Sequence, residues 1–340
     1  MYRKIMGFLE AWKESEHRKP LILQGARQVG KTYSILEFGR THYENVAYFN
    51  FETNPKLNET FEENISPDYL IPILSHIAGQ TIVTEKTLIV FDEVQLCERA
   101  LTSLKYFCEN APDYHIIVAG SLLGVAVNRA KFSFPVGKVD MKTLYPMDME
   151  EFMLALGEDD LVEQIKKCFQ TDTPLPSALH DAAMQLYRQY LVVGGMPECV
   201  MQFAETKDYI LVRHTQDTIL ASYLNDMSKY NNLNEIKKTR LAYDNITVQL
   251  SKKNTRFQYK LIKKGGRASE FENAIEWLCL SGIVSQVYKV EQIKKPLENY
   301  RDIDAFKIYV SDLGLLCAKK DLAANDILYM VEDCLLYTSD

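Results

Sequence analysis

The sequence predicts an α/β protein: a parallel sheet wrapped by helices, then a helical stretch, then a small region of helices and a hairpin. Three observations carry this. Four short apolar runs, at 21–24, 46–51, 87–91 and 115–119, are separated by longer segments of helical spacing. The first run leads into a glycine-framed loop, and the third ends in two adjacent carboxylates. After residue 146 the strand-like runs cease and helical periodicity takes over.

The runs Val46–Phe51, Thr87–Phe91 and His115–Ala119 are β-branched or aromatic, and Leu21–Gln24 is short and apolar. Unbroken runs of this length suit strands buried on both faces, as in a parallel sheet. Helical spacing over about 32–43, 68–79 and 99–110 places helices between them, the order of a doubly wound domain. A further strand is expected within 136–144. Pro146 marks the end of a first domain, 1–145. A helical region follows over 146–230, broken by the loop 171–176 and by Gly194-Gly195-Met196-Pro197. That glycine pair reads as a helix-ending turn, because no lysine follows it to make a phosphate loop. Across 231–318, helical patterns precede strand-like runs at 282–290 and 305–310, the order of a winged helix. Residues 319–340 read as the start of a further segment. The sequence stops at Asp340 without a closing element, so more chain is expected beyond it.

Composition excludes several classes. With 340 residues, 47% hydrophobic and 25% charged, the chain resembles ordinary globular proteins and can fill a sizeable core. No run approaches the roughly 20 apolar residues that span a bilayer. The apolar patch near the start is cut by Glu10, Lys13 and Glu14, unlike a signal peptide. A cytoplasmic protein without a membrane partner is expected. The seven cysteines are scattered, odd in number and free of CxxC pairs, which argues against disulfides or structural zinc. Charge is uneven: residues 229–307 hold 16 Lys and Arg against 9 Asp and Glu, within a chain of net charge −7. A basic module in an acidic chain suggests a polyanion such as DNA, with Lys252, Lys253, Lys263, Lys264 and Arg267 as the phosphate-binding candidates. A solvated helix face explains that cluster as well.

The loop carries the chemistry. Residues 25–32 fit GxxxxGK[ST] at every fixed position: Gly25, Ala26, Arg27, Gln28, Val29, Gly30, Lys31 and Thr32, with Tyr33 following. A loop around a β-phosphate must turn its N–H groups inward, and glycines at both ends permit this. Lys31 reaches the β- and γ-phosphates, the Thr32 hydroxyl ligates Mg²⁺, and the helix start adds its dipole. Arg27 is a candidate for phosphate contact or for pairing with an acid such as Glu52. At the end of the third run, Asp92 is placed to hold Mg²⁺ and Glu93 to polarise the attacking water. This glutamate, with an extra strand at 46–51 between the loop and the acidic run, indicates the catalytic-glutamate branch of P-loop NTPases. No NKxD guanine-reading motif occurs, which favours adenine. After the fourth run, Ser121 is a candidate γ-phosphate sensor; a strand-ending Gly-Ser turn is the alternative.

Taken together, these residues resemble a family of bacterial and archaeal AAA-type ATPases in which a P-loop domain precedes a C-terminal domain of unknown function. The resemblance rests on the loop 25–32, Tyr48–Glu52, Phe91–Gln95 and Ala119–Ser121. It continues through Leu144–Met147, Glu150–Phe152, Tyr190–Pro197, Tyr223, Asp226, Lys229, Trp277-Leu278 and Phe306–Leu316, so it spans about 18–316. It implies ATP and Mg²⁺ as ligands. Two departures stand out. Gly137-Lys138 replaces the usual Gly-Arg before the final strand of the domain, and the family's nuclease-like last segment lies beyond this chain. The reading is therefore a Mg²⁺-dependent ATPase coupling ATP hydrolysis to conformational change. The alternative is a nucleotide-gated DNA-binding or regulatory module with little turnover. A small-molecule kinase is disfavoured, since no Arg-rich lid follows the loop.

Overall fold

Phe49, Phe51, Phe61 and Phe91 meet edge-on or tilted, with ring centroids 5.5–6.0 Å apart. They form the centre of a core that one face of a five-stranded sheet shares with three helices. The computed structural model describes residues 1–121, 123, 135–229, 233–251 and 256–329. Two compact units divide the chain, one over Arg3–Tyr145 and one beginning at Pro146.

In the first unit the elements run α1 (Ile5–Lys13), β1 (Leu21–Gln24), α2 (Lys31–His42), β2 (Asn45–Asn50), α3 (Leu57–Glu63), α4 (Pro67–Ala78) and β3 (Thr87–Asp92). They continue with a short 3₁₀ turn (Val94–Leu96), α5 (Glu98–Asn110), β4 (His115–Gly120) and β5 (Asp140–Thr143). The sheet order is β2-β3-β4-β1-β5, and every pair is parallel. All six residues of β3 and of β4 are buried, which is why these runs show no polar alternation. Their side chains divide between two faces. Ile89, Phe91, Ile116 and Val118 join the core beneath α3, α4 and α5. On the other face α2 packs on β2, β3 and β4, with α1 against α2. Gly39 allows this approach, since a Cβ there would lie 2.5 Å from Val46 Cγ2.

The sheet departs from a chain-order reading in one respect. The strand inserted between β1 and β3 is β4, whereas the extra strand 45–50 lies at the outer edge. The strand expected within 136–144 is shorter, Asp140–Thr143, because a turn bonding Lys138 N to Pro135 O, with Gly137 at φ 73°, precedes it. Helix α3 had no counterpart in the sequence reading.

The second unit is helical from its start. Asp148 caps the helix Met149–Ala155 in a reciprocal box with Glu151. The helices Asp159–Gln170, Ser177–Val193, Pro197–Thr206 and Tyr209–Lys229 follow. Leu233–Ser251, Tyr259–Ile262 and Ala268–Leu280 then lead to an antiparallel hairpin, β6 (Val284–Val290) and β7 (Arg301–Val310). Two shorter helices, Leu313–Lys319 and Ala324–Leu328, follow the hairpin. Lys252, Lys253 and 330–340 fall outside the described residues.

Gly194-Gly195 ends one helix and Pro197 starts the next, so the pair is a turn. Its geometry is fixed by a residue far along the chain. The Gly195 N–H donates to Asp312 Oδ2 at 2.6 Å, and Leu315 N–H donates to Asp312 Oδ1 at 2.8 Å. The Gly195 carbonyl accepts from Met147 N–H at 2.7 Å. A Cβ at Gly195 would lie 1.9 Å from the Met147 carbonyl oxygen. Burial pushes the Asp312 carboxyl up to about 6, against backbone N–H donors that favour its ionised form.

Candidate functional site

The loop 25–30 leaves the end of β1, and α2 begins at Lys31 directly after it. Its backbone takes left-handed angles at Gln28 (φ 65°) and Gly30 (φ 90°), and Gly25 has φ 150°. Gly25 also faces a wall: a Cβ there would lie 2.2 Å from the Leu144 carbonyl oxygen. Lys31 is only 7% exposed, and its Nζ donates to the carbonyls of Gly25 at 2.9 Å and Ala26 at 2.8 Å. The ammonium therefore sits inside the curve of the loop. Arg3, ahead of α1, is buried too. It donates to Val29 O at 3.0 Å and to Tyr145 O at 2.8 Å, tying the loop to the end of this unit.

Asp92 is the last residue of β3, and its carboxylate is buried with three donors. Thr32 Oγ1 donates to Oδ2 at 2.8 Å, Tyr48 OH donates to Oδ2 at 2.7 Å, and Glu93 N–H donates to Oδ1 at 3.0 Å. Parallel pairing sets Asn50 opposite Asp92, so Tyr48, two residues earlier on β2, lies on the same side of its strand as Asn50. Asn50 Nδ2 in turn donates to the Tyr48 oxygen at 3.2 Å. Burial pushes the Tyr48 phenol up to about 12; the Asn50 bond lowers it and Asp92 raises it further. The phenol thus remains a donor at neutral pH.

Glu93 leaves the strand in the left-handed region, with φ 52° and ψ 37°, uncommon for a residue with a Cβ. The backbone reversal separates the directions of the two adjacent carboxylates. Glu93 Oε2 accepts from Gln95 Nε2. Ser121, 8% exposed, follows β4, the strand between the one that leads into the loop and the one that ends at Asp92.

The structure brings Gly25, Lys31, Thr32, Asp92 and Glu93 to one edge of the sheet, at the carboxyl ends of β1 and β3. Ala26 and Val29 are buried, Arg27 is half-buried and Gln28 is exposed. Tyr33, in the first turn of α2, is 59% exposed. Lys138 lies at the opposite end, ahead of β5, where its Nζ pairs with Glu109 at 3.0 Å. Arg3, Tyr48, Asn50 and Gln95 escaped the sequence reading as contributors to this edge. Alternation along β2, which buries Ala47 and Phe49 but leaves Tyr48 part-exposed, was a signal for one of them.

Chemically, a glycine-framed loop, a helix start and an enclosed ammonium make an anion cradle. A hydroxyl and a carboxylate oxygen within hydrogen-bond distance make a hard-donor pair suited to a cation such as Mg²⁺. No cluster of three or more His, Cys, Asp or Glu side chains suited to a metal occurs among the described residues. Among them, too, no helix is long and apolar enough to cross a membrane.

Residues 17–153 match the family model of an AAA domain, and residues 184–326 match a domain of unknown function, DUF8612. The chain thus combines an AAA-type P-loop domain with a C-terminal domain of unknown function. The fold of the chain is similar to that of a Walker-type ATPase from Pyrococcus abyssi, with a TM-score of 0.57 at 13% identity over 94% of this chain and 95% of that one. The ORC2 protein of Aeropyrum pernix aligns over 96% of this chain and 94% of its own at 12% identity, with a TM-score of 0.45. No curated protein matches this sequence.

Proposed function

We propose that this chain binds ATP with Mg²⁺ and hydrolyses it, and that the nucleotide cycle drives a conformational change. One observation carries the reading: the Thr32 hydroxyl and the Asp92 carboxylate meet at 2.8 Å beside an enclosed Lys31. On this reading the N–H groups of the loop bind the phosphates, and Lys31 exchanges its two carbonyl partners for β- and γ-phosphate oxygens. Arg27, Gln28 and Tyr33 border the nucleotide. Thr32 and Asp92 would hold the Mg²⁺, whose chemistry is to neutralise charge on the phosphates. Glu93 orients and polarises the attacking water, and Ser121 contacts the γ-phosphate end.

The test is ATP binding by a fluorescent analogue alongside phosphate release, each with and without Mg²⁺. Lys31→Ala is expected to lose both. Glu93→Gln is expected to keep binding and lose hydrolysis. No binding by the unaltered protein overturns the function, and normal hydrolysis by Glu93→Gln overturns the role given to Glu93.

A second reading, nucleotide-gated binding of DNA, is supported by exposed Lys263, Lys264 and Arg267 in one turn ahead of the helix Ala268–Leu280. The helices and hairpin of 233–310 support a winged-helix description of this region. Filter binding over a salt series tests it. Retention that falls steeply with salt supports DNA, because counterion release makes phosphate contacts salt-dependent. A flat response removes it.

A further inference from the structure

The Gln95 side chain lies between two features of the site that its strands bring together. Its Nε2 donates to Glu93 Oε2. Its Oε1 is fully buried and has no hydrogen-bond partner among the described residues. That oxygen fills the space where a side chain of residue 120 would stand: a Cβ on Gly120 would lie 2.0 Å from Gln95 Oε1 and 3.1 Å from its Cδ. The next neighbour, Leu123 Cβ, is an ordinary 3.6 Å away. Gly120 does not carry the positive φ that demands glycine. What requires a small residue at the end of β4 is thus the Gln95 amide.

We infer that Gln95 is a positioning residue for Glu93, and that Gly120 is the slot that fixes the plane of its amide. This deepens the hydrolysis reading above and rests on it. Glu93 sits on a left-handed residue at a strand end, where the backbone alone does not fix the direction of a long carboxylate. An amide donor supplies that direction. It does so without the positive charge of a lysine or arginine, which would favour the ionised carboxylate and weaken it as a base. The slot matters because a glutamine has three side-chain torsions, and an amide free to rotate would hold the carboxylate for only part of the time. Packing against Gly120 removes that freedom. Which end of the amide faces Glu93 is set by the carboxylate itself, which accepts from the N–H₂ end only.

The full chain is assayed for ATP hydrolysis and, separately, for binding of a fluorescent ATP analogue. Gln95→Ala is expected to lower kcat about tenfold, a part of the roughly 10²–10⁴-fold that acid–base groups supply. KM and analogue affinity should stay within about twofold, since an interaction used only in the transition state moves kcat. Gly120→Ala should reproduce this loss by pushing the amide aside. The variant carrying both changes should be no slower than either one alone, because both remove the same contact. Gln95→Asn, whose amide is too short to span the slot, should not rescue. Unchanged kcat in Gln95→Ala, an increase in kcat, or additive losses in the double variant each overturn the inference.

A second measurement does not need turnover. Urea unfolding of Glu93→Ala, Gln95→Ala and the pair reads their coupling, and the pair is expected to shift the midpoint no further than the larger single change. Additive shifts overturn the contact. If the unaltered protein hydrolyses no ATP, the proposed function fails, while this coupling still decides whether Gln95 holds Glu93.

Discussion

Tyr48 donates its phenolic proton to Asp92 at 2.7 Å, on the same oxygen that Thr32 Oγ1 reaches at 2.8 Å. The carboxylate is therefore aimed by two side chains from different elements, one on the edge strand and one on the helix after the loop. Tyr48→Phe removes one of these donors while keeping the ring. Weaker orientation of Asp92 is expected to raise the Mg²⁺ concentration needed for half-maximal ATP binding about 3- to 10-fold, a loss of roughly 1 kcal/mol, the worth of one hydrogen bond. A magnesium titration of analogue binding checks this, and an unchanged midpoint denies Tyr48 the role.

Gly25→Ala tests the cradle. Its Cβ meets the Leu144 carbonyl oxygen at 2.2 Å, a backbone atom that cannot swing aside. The loop must shift, so nucleotide affinity is expected to fall at least tenfold, about 1.4 kcal/mol. Far-ultraviolet circular dichroism should be unchanged, because the strands and helices on either side keep their hydrogen bonds. Loss of the helical signal would mean that Gly25 serves folding, not the loop.

Asp312 carries the turn of the second unit. Asp312→Ala removes a helix cap and strands the buried Gly195 N–H. A cap is worth about 1 kcal/mol and an unsatisfied buried N–H about 1–3 kcal/mol. Destabilisation of about 2–4 kcal/mol is expected from those two magnitudes. Hydrogen exchange should localise it, with protection lost at Gly195 and Leu315 and kept in β3 and β4. Uniform loss across the chain would contradict this.

His115 begins β4 and is buried, with Tyr43 OH on Nδ1 at 2.7 Å and the Trp12 ring 6.1 Å away. Burial, with the charges of Arg18 and Lys13 adding to it, pushes its pKa down from 6.5 to about 4. The unfolded chain therefore takes up this proton first. The stability tied to neutral His115 is complete above about pH 6.5 and is lost as pH falls toward about 4, on the order of 3 kcal/mol in all. Urea midpoints between pH 7 and 4 should fall less steeply in His115→Phe than in the unaltered protein. Parallel curves would remove His115 as the source.

Much of the first unit was legible because its signals are local. The β-branched and aromatic runs, the glycine spacing of 25–32 and the strand ending in Asp92 each lie within a few residues. Strand ends were less sharp. The run read as 46–51 is paired over Asn45–Asn50, and Phe51 passes into the turn to join the aromatic core. The extent of β5 was hidden because its residues, Asp140-Met-Lys-Thr143, form no apolar run and a turn at Gly137 stands just ahead of them. Gly120 was read as part of a possible Gly-Ser turn, yet what crowds it is Gln95, from the turn after the neighbouring strand.

The sequence by itself determined that a phosphate loop follows one buried strand and an acidic pair ends another, because both are written in contiguous residues whose chemistry follows from spacing. Only the tertiary structure decided that β4 separates those strands, that Tyr48 and Thr32 share one oxygen of Asp92, that Gln95 occupies the space over Gly120, and that Asp312 holds Gly195. The physical reason is that such contacts depend on strand order and on which side chains packing turns toward each other. Neither is encoded within any one stretch of the chain.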